Sequence, residues 1–480
     1  MTKTLLCWKT LALAGAALAA GCTMVGPDFQ RPAPMAVDRY TAQPLALESA
    51  ATSGDQHVAP GRPVETEWWK SFHSEACDAI VQRALAGNRT LVAAAASLAQ
   101  AEELANAQAG TLAPQVGLGA SVGRQKLGAA SLGDFSLPPF TYFSVGPTVS
   151  YVFDYTGAGR RSVEAQQALA EYRRHQVEGA RLAVVGNALT QALRAASLRT
   201  QIQTVEELLG RDRENLRLVQ VAFDAGSVAR LDIVSAQAQL AADQTLLPPL
   251  RQQLSLAQHA LAILTGSAPA QAALPEFDLG QVRLPTTLPL DVPSELARRR
   301  PDILAAEAQL HASTAAVGVA EGNLYPRINI TASAGLQSGQ FQNLFESQSS
   351  VFGLAAGLTA PLFDGGTLRA ERRAAMDAMH ADAANYEQTV LQAFGQVADT
   401  LQALEHGGEE LQARSRAQDA ARDDVELTRR SYQEGNVGVL QVLDAERRYQ
   451  QARLGYVQAQ GQRYIDTVQL YLALGGGVLG

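Results

Sequence analysis

The 480-residue chain is 47% apolar but only 6% aromatic, with 18% charged residues and a formal net charge of −8. An acidic chain without a basic patch excludes nucleic acid as its partner, and a bias toward Ala, Gln, Leu and Arg favours extended helices over a dense aromatic core. Its three cysteines, Cys7, Cys22 and Cys77, offer no disulfide framework, because the first two lie within and at the end of a leader.

Residues 1–21 read as a secretory signal. Lys3 and Lys9 supply the positive charge, and Leu11–Ala20 is an apolar run too short to span a bilayer. The run closes on Leu18-Ala19-Ala20-Gly21-Cys22, which resembles a bacterial lipobox and makes Cys22 the expected site of acylation. Thr23 stands where an Asp would retain a lipoprotein at the inner membrane. The alternative is ordinary cleavage nearby, leaving Cys22 free. Residues 22–65 then form a lipid-anchored extended segment. No later stretch has the ~18 uninterrupted apolar residues of a membrane helix. If the mature chain crosses a membrane, it does so as a β-barrel.

Two repeats follow, 66–270 and 294–474, joined by a linker at 271–293 and followed by a Gly-rich tail at 475–480. Ala113-Pro114-Gln115-Val116 matches Tyr325-Pro326-Arg327-Ile328, and Phe153-Asp154 matches Phe363-Asp364. Phe223-Asp224-Ala225-Gly226-Ser227-Val228 matches Tyr432-Gln433-Glu434-Gly435-Asn436-Val437, at an offset that stays about 210 residues. Within each repeat the period changes from two to about 3.5. Strands are expected near 114–126 and 141–154, then near 326–338 and 350–363. Val116, Leu118, Ala120 and Val122 alternate with glycines and Ser121, and Ile328, Ile330, Ala332, Ala334 and Leu336 alternate with polar or small residues. Ten-residue segments, apolar on one face and small or polar on the other, are the signature of a transmembrane barrel.

After the strands come long helical stretches, 160–265 and 368–474. Val184, Ala188, Gln191, Ala195, Leu198, Ile202, Val205, Leu209, Asp212, Leu216, Val219 and Phe223 recur in steps of four and three, a heptad seam. Gln191 and Asp212 interrupt it, which suits a ring of helices better than a dimeric zipper. The proline-free run Arg160–Asp224 reaches roughly 100 Å at the helical rise. Four strands cannot close a barrel, and free edges in lipid leave backbone groups unsatisfied. The barrel is therefore shared. Two copies give eight strands and three give twelve, and arithmetic does not choose between them.

The repeat junction Pro293-Ser294-Glu295-Leu296-Ala297-Arg298-Arg299-Arg300-Pro301-Asp302-Ile303 resembles the Pro-Ser-x-Leu-x-x-Arg-Arg-Pro-Asp-Ile hallmark of a known family. These are the outer membrane factors of bacterial tripartite efflux and secretion systems, in their TolC-like, NodT-type lipoprotein branch. Cys22-Thr23-Met24-Val25-Gly26-Pro27-Asp28-Phe29, Trp68-Trp69-Lys70-Ser71-Phe72 and the hairpin tips are similar as well. The resemblance covers essentially the whole mature chain. It implies an α+β membrane protein: a homotrimer whose twelve-stranded β-barrel, four strands per chain, continues as a long α-helical coiled-coil tunnel through the periplasm. It also implies docking to a periplasmic adaptor protein and an inner-membrane pump, at the outer membrane of a Gram-negative cell.

In that family the helix tips receive the adaptor, which assigns Gly226, Ser227, Val228, Gly435, Asn436 and Val437 to docking. Asp232 and Asp444 match acidic positions near the periplasmic aperture, and Gln441 stands where some relatives carry another acid. Three symmetry-related carboxylates around a narrow pore repel one another and attract cations. The plainer reading of Asp232 is that it favours a helix N-terminus. Pro301 is expected to begin a helix, with Arg298–Arg300 available for carboxylates.

No catalytic constellation, cofactor or metal site is expected. His73, Glu75 and Cys77 alternate without a fourth ligand at metal-site spacing, and no Walker loop or G-x-S-x-G elbow occurs. The leading expectation is a passive exit duct for efflux of small toxic molecules. The alternatives are the duct of a type I protein-secretion or metal-efflux system, and a lipid-anchored periplasmic coiled-coil scaffold.

Overall fold

The structure, a computed structural model, describes residues 24–33, 35, 37–42, 56–126, 138–272 and 274–477. The leader and Cys22 lie outside the described residues. In chain order the elements are β1 (His57–Pro60), α1 (Glu75–Gly87), α2 (Arg89–Gly110), β2 (Gln115–Gln125) and β3 (Phe140–Phe153). Then come α3 (Ala158–Asp224), α4 (Arg230–Gln244), α5 (Leu247–Leu264), β4 (Thr287–Leu290), the short α6 (Pro293–Leu296) and α7 (Pro301–Gly322). The chain ends with β5 (Arg327–Ser338), β6 (Ser350–Thr359), α8 (Thr367–Gln433) and α9 (Val439–Ala473).

Local chemistry sets these boundaries. Ser74 caps α1, its Oγ accepting from the Cys77 N–H, with Glu75 and Asp78 in the first turn. Asn88 ends α1 and starts α2: its Oδ1 accepts from the N–H groups of Thr90 and Leu91, while its Nδ2 donates to the Leu264 carbonyl. The long helices α3 and α8 have the same length, 67 residues. The expected first stretch 160–265 is in three pieces. One break is the turn at Gly226; the other, at Thr245–Leu246, was not expected. Its cause is Pro248-Pro249 in the first turn of α5, which removes two N–H donors from a continuous helix. In the same way β6 stops at Thr359, short of the expected 363, because Pro361 cannot donate to a ladder.

The chain gathers into two compact units. Among the described residues, the first holds those up to 32 with those in 97–174 and 305–387, and the second holds those in 33–96, 175–304 and 388–477. The first contains an antiparallel sheet in the order β2-β3-β5-β6, so the strand pairs of the two repeats meet at β3 and β5. No helix among the described residues is long and apolar enough to cross a membrane.

In the second unit β1 pairs parallel with β4, His57 opposite Thr287. Its core includes Phe72, Ile80, Leu288, Leu296, Leu401, Leu404 and Leu470, and Trp68 stacks on Tyr471 at 4.8 Å. Along α3 the buried face is broader than a heptad seam. Leu189, Leu193, Ala196 and Leu208 are fully buried beside Val184, Ala188, Ala195 and Val205. Two adjacent columns of apolar residues bury a helix against more than one neighbour.

Candidate functional site

The register of the four-stranded sheet sorts its side chains by face. Val116 lies opposite Val149, which lies opposite Ala332, which lies opposite Leu354. Tyr151, Ile330 and Ala356 form the next row on that face, and Phe153, Ile328 and Leu358 another. The face is apolar and largely uncovered: Phe352 is 90% exposed and Leu118 79%. The opposite face carries small and polar residues in register, such as Gly117, Thr148, Ser333 and Gly353. On it Ser121 and Ser144 are hydrogen-bonded at 2.8 Å, and the ring of Tyr142 lies over Gly123. Gly146 and Gly335 face each other so closely that a Cβ on either would meet the other's Cα within 3 Å. β2 and β6 are the edges of this sheet.

Each strand pair hands over to its long helix through an aspartate. Asp154 accepts from the N–H groups of Gly159 (3.1 Å) and Arg160 (2.9 Å) at the start of α3. Asp364 accepts from Gly366 and Leu368, both at 2.9 Å, at the start of α8. These backbone donors hold the Asp364 carboxyl below the usual carboxylate range.

The far ends of α3 and α8 close with one motif. Gly226 (φ +75°) donates to the Phe223 carbonyl and Ser227 to that of Ala222; Gly435 (φ +80°) donates to Tyr432 and Asn436 to Ser431. This is the Schellman closure, which needs a left-handed residue that glycine adopts without strain. Beyond the first tip, Ile233 and Ala236 of α4 pack back on Val219 of α3, with Leu216 and Val228 alongside. Both tips are exposed, Val228 and Val437 only partly so.

The acidic residues near the tips have partners within the chain. Asp232 accepts from the Ala229 N–H at 2.8 Å, so it serves the first turn of α4. Asp444 is paired with Arg447 (3.0 Å) and Arg448 (3.4 Å) on its own helix. Gln441 is exposed in the first turn of α9. Deeper in, Glu446 is buried between Arg429 (2.6 Å) and Arg211 (3.6 Å). Asp212, noted in the sequence only as a break in the heptads, is buried against Asp243. Cys77 is fully buried, which pushes its thiol up to about 11.

How the segment after Cys22 is held is visible only in the structure. Val25 donates to the Thr156 carbonyl, and Gly26 (φ +84°) sits where a Cβ would strike the Gly318 Cα. Arg161, 1% exposed, reaches the Val25 carbonyl, Asp28 and Glu164. Phe29 stacks on His311 at 4.4 Å, and Arg31 pairs with Glu307. The only signal available in the sequence was the Gly26-Pro27-Asp28-Phe29 run.

A sheet apolar on one face, long proline-free helices and glycine-closed tips define a membrane channel subunit with a helical extension. The profile of the family described as "Outer membrane efflux protein" matches residues 80–267 and 292–476, one stretch in each repeat. The chain belongs to the outer membrane efflux protein family. It is 32% identical to the pyoverdine export outer membrane protein OpmQ of Pseudomonas aeruginosa, over 91% of this chain and 93% of that one. It is 26% identical to the probable outer membrane lipoprotein SilC of Salmonella typhimurium, over 98% of each chain. The solved outer-membrane channel OprN superposes with a TM-score of 0.83 at 30% identity, covering 94% of this chain and 99% of that one. The chain is thus an outer-membrane efflux channel, with the fold class expected from its sequence.

Proposed function

We propose that three copies assemble into the exit duct of a tripartite efflux system, each supplying four strands of a twelve-stranded barrel. One observation carries this reading: the sheet ends in two open edges, β2 and β6, beneath a continuous apolar face. Edge strands in hydrocarbon leave N–H and C=O groups without partners, and closure through neighbouring copies removes every edge. The small and polar face then lines the lumen, and the duct passes its cargo passively. Its substrates are small toxic molecules delivered by an inner-membrane pump.

Acylation of Cys22 anchors the mature chain to the outer membrane, and residues 24–31 lead from that anchor to the start of α3. The two repeats, 66–270 and 294–474, meet through the 271–293 linker. The tips Gly226-Ser227-Val228 and Gly435-Asn436-Val437 receive the hairpin of a periplasmic adaptor. Asp232, Gln441 and Asp444 surround the aperture there. Asp444 carries the electrostatic part: it is half-exposed and its pairs with Arg447 and Arg448 are screened by solvent, whereas Asp232 caps the first turn of α4 and Gln441 is neutral.

Leu354→Arg tests the barrel. A guanidinium on the lipid face near the bilayer midplane costs about 2–4 kcal/mol per copy, so the heat-resistant trimer in outer-membrane fractions is expected to disappear. An undiminished trimer would overturn the assignment of faces. Asp444→Ala tests the aperture in planar bilayers, with conductance expected to rise and cation selectivity to fall. Unchanged values would remove Asp444 from the pore.

A further inference from the structure

Asp212 interrupts the apolar seam of α3 and has no part in the duct as described. It is 4% exposed, and its Oδ2 has no hydrogen-bond donor. What faces it is another carboxyl, Asp243 of α4, 6% exposed. Asp243 accepts from Gln239 Nε2 at 2.7 Å. Two carboxylates in contact and out of water cannot both ionise cheaply, and one proton held between them supplies the donor that Asp212 Oδ2 lacks.

The charges around the pair do not replace that proton. Arg447 of α9 acts on Asp212 but is paired with Asp444 at 3.0 Å. Its neighbour Glu446 is held by Arg429 of α8 and Arg211 of α3. Arg447, Arg429 and Arg211 are therefore already engaged with other carboxylates.

The position of the pair gives it leverage. Asp243 is the penultimate residue of α4, and the return limb is broken immediately after it, at Thr245–Leu246, before Pro248 and Pro249. At its other end α4 begins at Arg230, four residues past the Gly226 tip. Besides the Ile233 and Ala236 contacts with Val219, the facing carboxyls of Asp212 and Asp243 bring α4 against α3.

We propose that Asp212 and Asp243 form a proton-binding site that latches α4 onto α3, so that loss of the shared proton frees the first return helix at its joint. Burial and the neighbouring Asp243 push the Asp212 carboxyl up to about 7. In the released helix, exposed to water, the same group returns to its ordinary value of 3.8. Between those limits the latched state binds more protons than the released one. The latch therefore weakens as pH rises from about 4 to about 7, and stays at its weakest above that.

The experiment is hydrogen exchange, corrected for intrinsic rates, on the full-length protein in lipid across this range. In the wild type, opening of residues 230–244 is expected to rise by up to about tenfold per pH unit between about pH 5 and pH 7, then level off. In Asp243→Asn the amide donates to Asp212 directly, and that slope is expected to vanish. Asp212→Asn is expected to do the same, and serves if the first variant fails to fold. A wild type without the slope, or variants that keep it, would overturn the proposal. The consequence for transport rests on the tips being the aperture. A pH-dependent α4 with pH-independent conductance in planar bilayers would keep the proton site and reject that aperture.

Discussion

Arg300 donates from Nη1 to the Ala473 carbonyl at 2.7 Å, tying the residue before α7 to the last residue of α9. Its other donors reach both oxygens of Asp302, at 3.0 and 2.7 Å, and Oε1 of Gln396 at 2.8 Å. Gly475, at φ +83°, packs against the same side chain. The junction motif read from the sequence is therefore a clasp between the start of the second repeat and its final helix.

Arg300 is 6% exposed, so removing its charge leaves the buried Ala473 carbonyl without its donor and breaks the pair with the half-exposed Asp302. Arg300→Met, which keeps most of the volume, is expected to cost about 1–3 kcal/mol. Arg300→Lys should recover only part of this, because lysine has no planar fork. Thermal unfolding of the three proteins in one detergent checks the order, and a Met variant as stable as the wild type would refute the clasp.

At the tips the cost of substitution is torsional. Nothing lies within 4 Å of a Cβ placed on Gly435, yet its φ of +80° is left-handed. Gly435→Ala is expected to lose about 1–2 kcal/mol of local stability. Gly438, three residues on, has φ −84° and tolerates alanine in its backbone. Hydrogen exchange near the tip should therefore accelerate in Gly435→Ala and hardly change in Gly438→Ala. If the tips dock an adaptor, drug susceptibility rises in the first variant and not in the second. Equal behaviour of the two would contradict this account.

Asp364 gives a pH dependence of defined sign. The N–H groups of Leu368 and Gly366 lower its pKa in the folded protein. A depressed carboxylate stabilises the fold above its unfolded pKa, about 4, and that contribution disappears as pH falls through the lower folded value. Asp364→Asn should therefore be less stable than the wild type at neutral pH, with the gap closing in acid. Denaturation at several pH values tests this, and a gap independent of pH would mean that the cap contributes through shape alone.

The barrel strands were legible because period-two patterning survives in any sheet with unlike faces. Val116, Leu118 and Val122 alternate with Gly117, Gly119 and Ser121 whatever the strand pairs with. The tips were legible because Gly226 and Gly435 meet a backbone demand that few other residues meet. The break at Thr245–Leu246 was not foreseen, although Pro248-Pro249 lay in view, because proline is tolerated in a helix's first turn. The width of the buried face on α3 was missed too, since a seven-residue count finds one seam and not a second neighbour.

The sequence by itself determined the two similar halves, their strands and long helices and the need for a shared barrel, because these follow from periodicity and from unpaired backbone in lipid; the family followed from the resemblance carried by the Pro293–Ile303 junction. Tertiary structure alone decided what the polar residues do. Asp212 read as a flaw in a seam until Asp243, thirty-one residues away, was placed against it. Arg300 read as one of three arginines until the Ala473 carbonyl came within reach. A buried charge takes its meaning from the group that faces it, and that group is fixed by packing rather than by spacing along the chain.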